Sequence, residues 1–184
     1  MLTVKERGQF VATIRYVQVW LMETLAAWVP TTPEMEVKLL FGEHIWDAAQ
    51  HADALGKRTF ELRMPLQHSL RPAAAYAELL AELAATEPTP QRLAVVYDVM
   101  LPALAARHRR YIEQTDGLVD APTVRILERD LADAARMIEA GHALRQELPA
   151  LQLADRAWAE ALVAREAAIE RIAASPPDAV AVEA

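Results

Sequence analysis

The chain has 184 residues, 53% of them hydrophobic and 24% charged, with a formal net charge of −7. That length suits one domain with a proper core, and the composition is globular rather than disordered. The acidic balance argues against a general nucleic-acid binder, and the complete lack of cysteine excludes disulfides, thiolate catalysis and Cys-ligated metal.

Only 5 glycines occur and alanine is abundant, which favours helix over sheet. The N-terminus mixes charges with apolar residues and has no signal-peptide core, and no run is long enough to span a membrane. The expectation is a soluble cytoplasmic protein.

In chain order, a first helix is expected from Val4 to Trp28. "VPTTPEME" follows, where Thr31 or Thr32 can cap the second helix, with Pro33 in its first turn. The second helix carries "EHIWDAAQHADAL" (residues 43 to 55), weakens at Gly56 and extends toward Arg63. A long connection and a short helix over Ala73 to Ala85 lead to a third long helix, Thr89 to Thr115, which Pro102 is placed to bend. Asp120 is positioned to cap a fourth, Thr123 to Glu147. Pro149 ends that helix, and a fifth spans Leu151 to Ala174. The domain therefore covers residues 1 to 174, and residues 175 to 184 read as a flexible tail.

Helical phase selects the inward residues. On the first helix these are Val11, Ile14, Gln18, Leu21 and Leu25. The third contributes Leu93, Tyr97, Leu101, Leu104, His108 and Tyr111. On the fourth, Val124, Leu127, Leu131, Ala134 and Ile138 form the apolar face, which leaves Glu139 solvated and His142 at the edge. The second turns His44 and His51 inward, with Asp47 flanking. By this phasing no carboxylate sits at the centre of an inner face.

Two helical hairpins joined by a long connection, with "GEHIWDAAQHADAL" on the second helix and "DAPTVRILERDLADAARMIEAG" on the fourth, resemble the ferritin-like superfamily over about residues 10 to 145. The resemblance implies an all-α four-helix bundle with a long connection between helices two and three, here followed by an extra C-terminal helix. Metal-binding members use a glutamate from each of two helices and Glu-x-x-His from each of the others. In this chain Ala48 precedes His51 where that glutamate is expected, and Ala134 and Met137 stand at the matching places of the fourth helix. Glu139 and His142 have the Glu-x-x-His spacing but the wrong phase.

The function expected is a divergent bundle without a di-iron centre, binding or transforming a small molecule. Its pocket would use His44, His51, His108 and Tyr97 as catalytic candidates, with Gln18 and Tyr111 as ligand contacts. No cofactor is favoured. The alternative is a metal-dependent oxidase or oxygenase with iron, manganese or zinc held by members of the set His44, Asp47, His51, His108 and His142. A further alternative is a non-catalytic structural or partner-binding bundle, with a closed and dry polar core. A homodimer is expected, with the amphipathic fifth helix as a candidate interface. Nucleic acid and membrane are not expected partners.

Overall fold

The computed structural model describes residues 2–153 and 155–173. The expected tail, residues 175 to 184, lies outside the described residues. The fold is all-helical, with α1 Val4–Trp28, α2 Met35–Glu61, α3 Ala74–Ala84, α4 Thr89–Ala94, α5 Leu101–Gln114, α6 Ala121–Glu147 and α7 Arg156–Ala167. A π-helical stretch, Val95–Met100, joins α4 to α5 in one long rod. Among the described residues no helix is long and apolar enough to cross a membrane.

Local chemistry sets several of these boundaries. Thr3 and Glu6 form a reciprocal capping box that starts α1. Glu34 stands at the N-cap of α2. Neither expected threonine caps that helix, because the Thr31 and Thr32 hydroxyls turn back and donate to the Trp28 carbonyl. Asp120 does occupy the N-cap position of α6, but its carboxylate accepts from side chains and not from the helix backbone. Pro102 has no N–H to give the Asp98 carbonyl and its ring crowds that group. The π stretch lies immediately before it, and the Leu101 N–H bonds the Val96 carbonyl across the wider turn.

The connection after α2 runs back along the molecule. The Leu70 N–H bonds the Ala12 carbonyl, and the Trp20 and Trp28 indoles of α1 donate to the Leu80 and Ala84 carbonyls of α3. At the far end the Thr89 hydroxyl donates to Glu34. The starts of α2 and α4 therefore lie together, and the two long rods run parallel. α1 packs along α2, and α6 packs against both α2 and α5.

After Pro149 the chain departs from the expected fifth helix. A short 3-10 turn comes first, and α7 then extends only over Arg156–Ala167. Its buried residues Ala159, Leu162 and Glu166 face this same chain. Glu166 accepts from Arg107 of α5, and Arg165 pairs with Glu82 of α3. The buried face of α7 packs on its own fold, while Val163 of the same helix is 44% exposed.

Candidate functional site: polar layers inside the helices

α2 puts His44, His51 and Arg58 on one buried face at seven-residue spacing. With a rise of 1.5 Å per residue, successive side chains stand about 10.5 Å apart along the core. Each collects different partners.

At the first level the Tyr97 hydroxyl and His44 Nδ1 are 2.8 Å apart, both side chains fully buried. The Tyr97 ring lies directly over Gly141 of α6, where any Cβ would overlap it. Gly141 thus admits the ring, whereas Gly42, on the exposed side of α2, has open space around it. Burial lowers His44 to about 4, Asp47 working against that and Arg136 with it, so the ring is neutral. His44 Nε2 has no hydrogen-bond partner.

At the middle level His51 Nε2 donates to Asp133 at 3.0 Å and lies 3.6 Å from Asp130. Asp130 is 2% exposed and its Oδ2 has no partner. Burial raises this carboxyl to about 7, with His51 and Arg129 opposing and Asp133 adding to the rise. His108, also 2% exposed, has neither ring nitrogen partnered. Burial and the charges of His51 and Arg109 push it down to about 3. Arg15 of α1 crosses α2 beside Gly56, and the Trp28 ring lies tilted against Phe41, 6.0 Å between centroids. Gln18, one turn beyond Arg15, therefore enters at the level of His51, and its buried Oε1 is unpartnered. A cleft of about 140 Å³ lined by Gln50, His51, Ala54, Arg125, Ile126, Arg129 and Asp130 reaches this layer from outside.

The third level is closed by contrast. Asp120, fully buried, accepts from Tyr111 at 2.6 Å, Thr115 at 2.9 Å, Thr123 at 2.6 Å and Arg58 at 2.9 Å. Burial alone would raise this carboxyl, but those hydrogen bonds outweigh it and hold the group below its ordinary value. Phe10 stacks on Tyr111 at 4.1 Å between ring centroids.

The inward phase read from the sequence holds for Gln18, His44, His51, Tyr97, His108 and Tyr111, all of which are buried. They do not form one pocket. Tyr111 belongs to the Asp120 network, and Tyr97 pairs with His44. The metal-ligand set does not gather either. Asp47 pairs with Arg136 at 2.9 Å on the outer side of α2. His142 is exposed and pairs with Asp98, which Arg145 also holds. Among the described residues no three His, Cys, Asp or Glu side chains converge as a metal site.

The inner face of α6 differs from the apolar face read from periodicity. Thr123, Leu127, Asp130, Ala134, Met137 and Gly141 are its buried residues. Val124, Leu131 and Ile138 are only half-buried, and the last two line an outer groove beside Ala105 and Arg109 of α5. A carboxylate therefore does stand on an inner face. Asp130 is three residues after Leu127 and four before Ala134, a phase visible in the sequence but masked by the apolar residues beside it.

No protein-family description, curated protein or solved structure matches the chain.

Proposed function

We propose that the chain is a divergent ferritin-like four-helix bundle whose middle layer binds a small polar molecule. The single long crossover supports the bundle reading, since it makes α2 and the third long rod parallel, as expected of that connectivity. One observation carries the functional reading. Of the seven buried side-chain polar atoms without a hydrogen-bond partner among the described residues, four belong to the middle layer: Gln18 Oε1, both ring nitrogens of His108, and Asp130 Oδ2. Buried polar groups are nearly always paired, so a concentration of orphans beside an open cleft marks a place where a solute is received.

The donor set fits a neutral or singly charged solute better than a pair of metal ions. A di-iron centre needs several carboxylates around it. Here Ala48 and Ala134 replace acids, Gln18 is neutral and Asp133 is committed to His51 and Arg136. The residues present do not fit that group. In the favoured reading Asp130 and His108 meet the solute, with Gln18 Oε1 as a further acceptor and His51 held in place by Asp133. Asp130, titrating near neutrality, can take up or release a proton on binding. His44 and Tyr97 form the adjacent wall. The expected homodimer and cytoplasmic setting remain part of this reading.

Thermal-shift titration with acetate, acetamide and methylammonium tests it. Stabilisation by at least one of the three that disappears in Asp130→Asn supports the site. No stabilisation by any of them, together with about two iron or manganese per chain by elemental analysis, replaces it with the metal-dependent oxidase. No stabilisation and no metal leaves the closed structural bundle.

A further inference from the structure

The outer face of α2 offers an inference independent of the interior. Met35, Leu39 and Trp46 are 62%, 64% and 66% exposed. With Gly42 and Ala49 they form one stripe at alternating spacings of four and three residues, opposite the face that carries His44 and His51. This is the seam pattern by which two helices pack side by side. Gly42 is exposed in mid-helix with nothing near it, although glycine weakens a helix relative to alanine. Nothing within the chain accounts for it.

We propose that this stripe is the contact with a second copy of the chain, the two α2 helices lying parallel about a two-fold axis. The charges beside the stripe select both occupant and direction. Lys38 flanks one side; Glu36 and Glu43 flank the other, and neither Lys38 nor Glu43 has an ion-pair partner among the described residues. In a parallel two-fold pair, opposite flanks meet. Lys38 then faces Glu43 of the second copy, five residues further on, at the flanking positions that form interhelical ion pairs. The symmetry makes that pair twice. An antiparallel pair would bring like flanks together and oppose the glutamates. Gly42, one layer before Trp46, leaves room for two indoles to meet across the axis. The contact is only about two heptads long, so the dimer is weak and concentration-dependent.

The absence of cysteine gives a clean test. In Met35→Cys, the new thiol meets its own counterpart only in parallel register. Oxidation is expected to give a disulfide dimer far faster than in Leu118→Cys, a control at an exposed turn remote from the stripe. By sedimentation, Lys38→Glu is expected to weaken the dimer about tenfold, and Lys38→Glu combined with Glu43→Lys to restore it. All these positions are on the surface, and circular dichroism checks that each variant keeps its helix content. A monomer at every concentration, equal cross-linking of the two cysteine variants, or no rescue by the charge swap overturns the proposal.

Discussion

Arg58 and His51 stand two turns apart on the same buried face of α2, yet their surroundings differ. Around Arg58, the Asp120 carboxylate accepts four side-chain hydrogen bonds, and only Arg7 Nε, 4.0 Å away, is left unpaired. Around His51, a carboxyl oxygen, an amide oxygen and a whole imidazole are buried without partners. A satisfied network fixes register and contributes stability; an unsatisfied one costs stability wherever nothing else repays it. The two layers differ not in how polar they are but in whether that polarity finds partners.

Removing the acid from each layer separates them most strongly. Asp120→Ala removes the buried partner of Arg58, leaving only the half-exposed Glu61 to pair with it, and strands three hydroxyl donors. It should cost about 3–5 kcal/mol in urea unfolding. A loss below about 1 kcal/mol would mean that this layer is less closed than its distances indicate.

Asp130→Asn should act in the opposite sense above neutrality. The folded pKa, about 7, lies above the ordinary 3.8. The contribution of Asp130 is therefore fully present below about pH 4 and lost as pH rises through about 7. His44 and His108, both lowered, give the reverse slope over the acid range, so the informative quantity is the difference between variant and parent. That difference should grow from about pH 4 to pH 7, to at most about 4 kcal/mol in favour of the variant. A flat difference would show that Asp130 finds a partner in solution.

The glycines sharpen the contrast between inside and outside. Gly141→Ala drives a Cβ into the Tyr97 ring and should cost about 1–3 kcal/mol while disturbing the His44 pair. Gly42→Ala enters open space and should raise monomer stability by up to about 1 kcal/mol, measured by denaturation at low protein concentration. Equal signs for the two would contradict the placement of Tyr97.

Much of this was legible from periodicity. α1 begins and ends at the expected residues, and every inward residue read on α1 and on the third long rod is buried. The phase of α6 was harder to read, because Val124, Leu131 and Ile138 make an apolar stripe that packs only partly. Hydrophobicity alone ranked that stripe above the face holding Asp130. The division of the polar residues into three layers was also hidden. It depends on which helix meets which at each level, and Asp120, read as a backbone cap, is instead the hub of a side-chain network. α7 is shorter than its amphipathic pattern, and it packs against the π-helical stretch and α5.

In the proposed function the His51 layer receives a solute and the Arg58 layer does not. Nitrogen-15 NMR of the histidine side chains, recorded during titration with acetate, acetamide and methylammonium, tests it most directly. Saturable shifts of the His51 and His108 imidazoles are expected with at least one of the three, abolished in Asp130→Asn, while the backbone amide signals of Tyr111 and Thr115 stay fixed. Imidazole signals unmoved by all three at millimolar concentration, or shifts equal in both layers, would contradict it.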